Sequence, residues 1–355
     1  MTKVISVVGG RPNFMKLAAV APDLNTVARH LILHTGQHYD YYLSQSFFKE
    51  LSLPTPNQNL NVGSGSHAKQ TSKIMVGCEQ YFIKEKPDAV LVYGDMNSTL
   101  GASLAAAKLR IPIAHVESGL RSYDNSIPEE INRRIVDHVS TLLFAPTRTA
   151  QSNLIAENLK EKAILTGDTN YDTFLKIGRR LSEDYYKSLN LKRSAYFLVT
   201  IHRPSNTDNR IKLDSILEEL INLKESVIFL IHPRTQKMLK KFKLSNKIKN
   251  TNIVIKSPTK YVESLSLQKY ARAVITDSGG MQKEAYYLKV PCITFRNSTE
   301  WPELVSLGWN NLWYPKKIHL ETIVNNFKTP KKHPDFFGSG DAGKIIVNKI
   351  KSFLK

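Results

Sequence analysis

The feature that most constrains this chain is an alternation of short apolar runs with segments of helical periodicity, carried through twice. In the first half the runs are Val4–Val8, Leu31–His34, Ala89–Tyr93, Pro112–Val116 and Thr141–Ala145, separated by helical patterns such as Ser66–Lys86 and Ser98–Lys108. The pattern restarts at Tyr196–Thr200 and continues through Val227–His232, Asn252–Ile255, Ala273–Thr276 and Cys292–Phe295. The helices expected between these runs are Ile211–Leu223, Gln236–Lys241, Tyr261–Gln268, Met281–Leu288 and Glu321–Asn326. Strand–helix alternation of this kind builds βαβ units around a parallel sheet. Two such series predict an α/β chain of two Rossmann-like domains facing a cleft. We place the boundary near Thr166-Gly167-Asp168, with domains of residues 1–168 and 169–341 and a last helix at 342–355 that crosses back onto the first.

A length of 355 residues agrees with two domains. Met1 leads straight into the first strand-like run, and no run reaches the roughly 20 apolar residues that span a bilayer. The expectation is a cytoplasmic protein without membrane insertion. Cys78 and Cys292 are far apart and form no metal-ligand spacing, so they read as reduced core thiols. The net charge of +19 raises a nucleic-acid partner, but its distribution argues against one. Residues 1–168 carry 17 Lys+Arg against 15 Asp+Glu (+2), and residues 169–355 carry 33 against 16 (+17). The excess is lysine scattered along amphipathic stretches such as Lys237 to Lys249 and Lys316 to Lys332, with no stacking platform or finger motif. It reads as a solvated surface, or as a field that attracts an anionic ligand or a membrane surface.

In an open parallel sheet, ligands bind beyond the C-terminal ends of the strands, so polar residues just after the apolar runs are the candidates. Arg11 and Lys16 follow the first run in Gly9-Gly10-Arg11-Pro12-Asn13-Phe14-Met15-Lys16, which is not a GxGxxG dinucleotide turn. Asp95 and Glu117 follow two successive runs, and Glu129 opens a helix at Pro128-Glu129-Glu130. Adjacent parallel strands lie about 4.8 Å apart. Two acids at such ends are expected to crowd, which raises one pKa and offers a proton donor and acceptor together. Arg121 and Arg133 are candidates to keep some of these acids ionised.

After Ala273–Thr276 comes Asp277-Ser278-Gly279-Gly280, then a helix beginning Met281-Gln282-Lys283-Glu284. A Ser-Gly-Gly turn exposes amides at a helix N-terminus and suits a phosphate. Glu284, one turn in, suits ribose hydroxyls, and His202 points toward the same ligand. Together these read as a nucleoside diphosphate site.

In register along nearly the whole chain, the motifs resemble the non-hydrolysing UDP-N-acetylglucosamine 2-epimerase family. They are Gly-Gly-Arg-Pro, Thr35-Gly36-Gln37-His38, Tyr93-Gly94-Asp95, His115-Val116-Glu117-Ser118-Gly119-Leu120-Arg121, Pro128-Glu129-Glu130-Ile131-Asn132-Arg133, Thr200-Ile201-His202-Arg203 and Asp277-Ser278-Gly279-Gly280. The resemblance implies the GT-B type of fold, a homodimer, and elimination of UDP to a 2-acetamidoglucal followed by re-addition to the opposite face, without nicotinamide or metal. It implies catalytic roles for Asp95, Glu117, Glu129, Arg133 and His202. Contacts to the UDP-sugar fall to Arg11, Lys16, Gln37, Ser278, Gly279, Gly280, Glu284 and Arg296.

The sequence departs from the family pattern in places. Gly10 and Asn13 replace the usual Thr and Glu of the first motif, and Trp301 replaces Arg in Thr299-Glu300-Trp301-Pro302-Glu303. With Gly63-Ser64-Gly65-Ser66-His67, these features resemble the branch acting on UDP-2,3-diacetamido-2,3-dideoxyglucuronate. The stretch Tyr39-Asp40-Tyr41-Tyr42 differs from that of substrate-activated bacterial enzymes, which argues against allosteric activation. A GT-B glycosyltransferase and a non-catalytic nucleotide binder are the competing readings.

Overall fold

In the computed structural model the chain is described over residues 2–37, 47–314 and 318–355. Two compact units are present: Met1–Lys176 together with Asp335–Lys355, and Ile177–Pro334. In unit 1 the strands are β1 (Lys3–Val8), β2 (Arg29–His34), β3 (Gln58–Asn59), β4 (Ala89–Tyr93), β5 (Ile113–Val116), β6 (Leu142–Ala145) and β7 (Ala163–Leu165). They form one sheet in the order β3-β2-β1-β4-β5-β6-β7. In unit 2, β8 (Tyr196–Thr200), β9 (Ser226–Leu230), β10 (Ile253–Lys256), β11 (Ala273–Thr276), β12 (Cys292–Thr294) and β13 (Asn310–Leu312) form a second sheet, ordered β10-β9-β8-β11-β12-β13. The pairings are parallel, for example Tyr93 opposite Val116 and Thr276 opposite Thr200. The α/β class with two parallel sheets is the expected one.

The central strands are legible because parallel strands with helices on both faces bury every residue. All five residues of β4 are buried, as are four of the five in β8. Three strands carry no such signal in the sequence: β3, β7 and β13. Each has two or three residues, lies at a sheet edge or next to one, and lacks the long apolar run that marks a core strand. The run expected as Val227–His232 ends its ladder at Leu230, since His232 caps the helix Pro233–Lys241 and Pro233 takes its first position.

Both strand orders reverse direction beside their first strand, at β1/β4 and at β8/β11. A crevice opens at such a switch point because the crossovers on either side leave in opposite directions. The helix Arg11–Val27 follows β1 and Asn97–Lys108 follows β4, so both N-termini meet that crevice in unit 1. The C-terminal helix Ala342–Phe353 packs on Arg11–Val27, and its Gly343 N donates to Asp172 Oδ2, on the helix Thr169–Gly178, at 2.8 Å. Among the described residues no helix is long and apolar enough to cross a membrane. Cys78 and Cys292 are free, buried thiols, and burial pushes Cys292 up to about 12.

Candidate active site

The unit 1 site begins at the β1 turn. Gly9 N donates to Asn13 Oδ1 at 2.9 Å, and Asn13 Nδ2 donates to the Tyr93 carbonyl at 2.7 Å. One buried amide thereby ties the end of β1 to the end of β4. A Cβ on Gly9 would lie 1.8 Å from Ser98 Oγ, so only glycine lets the helix Asn97–Lys108 approach this closely. Lys16, 4% exposed on the first helix, places Nζ 2.7 Å from Glu117 Oε2. Glu117 has a φ of 69°, a left-handed conformation that costs a residue with a side chain roughly 1–3 kcal/mol. Its segment is held in that shape: Glu117 N and Ser118 N donate to Phe144 O, and Gly119 N donates to Asp137 Oδ2 at 3.0 Å.

Asp95 lies just beyond β4, and Arg133 grips it with Nε at 3.0 Å and Nη2 at 2.6 Å, both on Oδ2. Arg133 Nη1 reaches Glu130 Oε2 at 2.9 Å. Glu130 is fully buried and also accepts from Ser122 N and Oγ at 2.8 and 2.9 Å. Burial works to raise its pKa, but the Ser122 bonds and Arg133 outweigh this and leave it below the ordinary value. Glu129, its neighbour, is half-buried in the first turn of the helix Pro128–Val139 and enters no ion pair among the described residues. Gln37 Oε1 accepts from Ser98 N at 2.9 Å and Ser98 Oγ at 2.5 Å, which caps the helix after Asp95. Arg11 is exposed, its guanidinium 4.4 Å from the centroid of the Phe47 ring.

Unit 2 carries the second cluster, at the β8/β11 switch point. Asp277 is fully buried and accepts from the backbone of His202 and Arg203 and from Asn206 Nδ2, at 2.9–3.0 Å. His202 Nδ1 stands 3.1 Å from Asp277 Oδ1. Burial alone would raise the Asp277 pKa, but His202 and the donors around it hold it at about 2. Ser278 caps the helix Gly279–Tyr287, its Oγ accepting from Met281 N at 3.5 Å. Gly279 is part-exposed and Gly280 exposed, and both lie in the first turn, where helix amides have no intrahelical partner. Glu284 is half-buried, and Oε2 accepts from Gln268 Nε2 at 2.7 Å.

Asp95 and Glu117 follow adjacent strands, and each has a cation at ion-pair distance (Arg133 and Lys16). Some expectations need correction. Arg121 serves neither of these acids. It binds Asp137 Oδ2 at 2.8 Å and Glu157 at 2.7 Å, as part of a buried brace in which Asp137 also meets His115 Nδ1 at 2.7 Å. Arg296 is only 6% exposed and is forked onto Glu300 at 2.7 and 2.9 Å, and it lines a cavity with Trp313 and Tyr314. The anchors Glu130, Asp137, Asp277 and Gln268 were not expected as site residues. Their spacing held a signal, for Glu130 and Arg133 stand three apart on one helix, where oppositely charged side chains meet. Residues 38–46 and 315–317, which include Tyr39-Asp40-Tyr41-Tyr42 and Lys316, lie outside the described residues.

Chemically, unit 1 offers carboxylates beside fixed cations, and unit 2 offers first-turn helix amides, a histidine and an acid. Among the described residues, no group of three or more His, Cys, Asp or Glu stands ready to hold a metal ion. A family model described as UDP-N-acetylglucosamine 2-epimerase matches residues 23–351. The chain is 45% identical to the UDP-N-acetylglucosamine 2-epimerase homolog of Methanococcus maripaludis over 99% of each chain. It is 39% identical to the UDP-2,3-diacetamido-2,3-dideoxy-D-glucuronate 2-epimerase of Pseudomonas aeruginosa, over 98% of this chain and 99% of that one. The crystal structure of Methanocaldococcus jannaschii UDP-GlcNAc 2-epimerase in complex with UDP-GlcNAc and UDP superposes with a TM-score of 0.93 at 42% identity, covering 99% of this chain and 100% of that chain. The chain therefore belongs to the UDP-N-acetylglucosamine 2-epimerase family.

Proposed function

We propose that this enzyme inverts carbon 2 of a UDP-linked 2-acetamido sugar, interconverting UDP-N-acetylglucosamine and its manno epimer. The observation that carries this reading is the pair Asp95 and Glu117, placed beyond neighbouring strands and each set against a cation. A carboxylate in this position takes the carbon-2 proton, while the C1–O bond breaks and its electron pair leaves with UDP. The carbon-2 electrons form the C1=C2 double bond of a 2-acetamidoglucal. A protonated carboxyl then returns a proton to the opposite face of carbon 2, and a UDP oxygen re-forms the bond at carbon 1.

Asp95, Glu117 and Glu129 share the proton transfers in this scheme. In unit 2, Ser278, Gly279 and Gly280 hold the diphosphate with His202, and in unit 1 Arg11 and Lys16 are the cations offered to the UDP-sugar, because cations and amides stabilise the charge on a departing diphosphate. Glu284 takes the ribose with the oxygen that Gln268 leaves open, and Arg133 and Gln37 orient the acid side. The protein acts as a homodimer, which light scattering after gel filtration tests.

Incubation with UDP-N-acetylglucosamine alone in deuterated water tests the scheme. Deuterium at carbon 2 with inversion supports it. Hydrolysis or transfer without exchange points to a glycosyltransferase instead. A second substrate reading, the 3-acetamido uronate relative, is favoured by the Pseudomonas enzyme at 39% identity and by the +17 charge of residues 169–355 (33 Lys+Arg against 16 Asp+Glu). A side-by-side assay of the two sugars, scored by carbon-2 inversion, decides between them.

A further inference from the structure

Trp301 is 3% exposed, and its indole Nε1 donates to the Gly279 carbonyl at 3.1 Å. A buried indole N–H needs an acceptor, and here the acceptor is the Gly279 carbonyl, within the Ser-Gly-Gly turn itself. The opposite demand meets the ring face: the ammonium of Lys283, a residue only 2% exposed, sits 4.4 Å from its centroid. Lys283 lies one helical turn beyond Gly279, and Cα–Cβ bonds tilt toward a helix N-terminus, so its side chain runs back along the first turn. A cation there opposes the helix dipole, whose N-terminal end is already positive.

The segment carrying Trp301 is itself pinned. Thr299 Oγ1 donates to Gln282 Oε1 at 2.6 Å and accepts from Trp301 N at 3.1 Å. Glu300, forked onto Arg296, stands close enough that a Cβ on Gly279 would lie 3.5 Å from its Oε2.

We infer that Trp301 is a positioning residue for the diphosphate. Its N–H fixes the Gly279 carbonyl so that the first-turn amides keep their direction, and its ring holds the Lys283 ammonium behind them. This rests on the reading of Ser278–Gly280 as a diphosphate site. The full-length enzyme, titrated calorimetrically with UDP and separately with uridine, tests it, because uridine lacks the diphosphate. Trp301→Phe keeps an aromatic face and loses the N–H, so UDP affinity should fall about three- to tenfold with uridine unchanged. Lys283→Met should lower UDP affinity by roughly tenfold or more, again sparing uridine.

An unchanged ratio of UDP to uridine affinity in Trp301→Phe, or equal weakening of both ligands, overturns the inference. Should that variant fail to fold, as judged by its thermal melt, Lys283→Met decides on the same ratio. A wild-type enzyme that binds no UDP overturns the diphosphate site itself, and the inference with it. A wild-type enzyme that binds UDP while both variants keep its ratio overturns only the role of Trp301.

Discussion

Arg133 spends two of its nitrogens on one oxygen of Asp95, at 3.0 and 2.6 Å, and a third on the buried Glu130 at 2.9 Å. The guanidinium is thus anchored from behind by an acid of its own helix, and it presents a rigid fork to the acid beyond β4. Lysine offers a point charge and no fork. Arg133→Lys should therefore keep the fold and lower turnover by roughly 10–100-fold, since it loosens a positioned group. Steady-state kinetics alongside a thermal melt check this. Near-normal turnover would show that the fork is not needed.

The three carboxylates divide by environment. Asp95→Asn, Glu117→Gln and Glu129→Gln should each lose about 10²–10⁴ in turnover while retaining UDP affinity, the usual worth of general acid–base catalysis. Carbon-2 exchange in deuterated water measures the loss. A variant that exchanges at the wild-type rate removes its residue from the proton transfers.

Arg11 and His202 are assigned to the nucleotide. Arg11→Ala and His202→Ala should weaken UDP binding as well as the rate, by roughly 1.5–3 kcal/mol each, typical of hydrogen bonds to charged groups. Calorimetric titration reads this directly, and wild-type affinity in either variant ends that contact.

Asp277 links the site to pH. Its folded pKa of about 2 lies below the ordinary 3.8, so its contribution to stability is present above pH 4 and is lost as pH falls toward 2. Denaturant titrations between pH 5 and pH 2.5 should show a steeper loss in the wild type than in Asp277→Asn. Parallel curves would detach Asp277 from acid unfolding.

Asp172 predicts the reverse sign. Burial raises its carboxyl to about 6, despite amide donors at Gly343 and Ala342. An acid whose folded pKa is raised weakens the folded state as pH rises from about 4 through 6. Asp172→Asn should raise Tm at pH 7.5 and do little at pH 4. Equal shifts at both pH values would rule out the ionisation as the cause.

The sequence by itself determined the class of fold, because apolar runs such as Ala89–Tyr93 and Tyr196–Thr200 have few uses other than as strands buried on both faces. It also marked Asp95, Glu117, His202 and the Ser278-Gly279-Gly280 turn, since strand ends in such sheets are where ligands meet polar side chains. Partnership was decided only by the tertiary structure. Whether Arg121 or Arg133 faces Asp95, whether Arg296 is open or forked onto Glu300, and whether Asp277 is a ligand contact or the buried anchor of the His202 loop all depend on approaches between residues distant in sequence. Residue type and periodicity report burial and local shape. They carry no distance between Lys16 and Glu117, and at 2.7 Å that distance gives the site its charge arrangement.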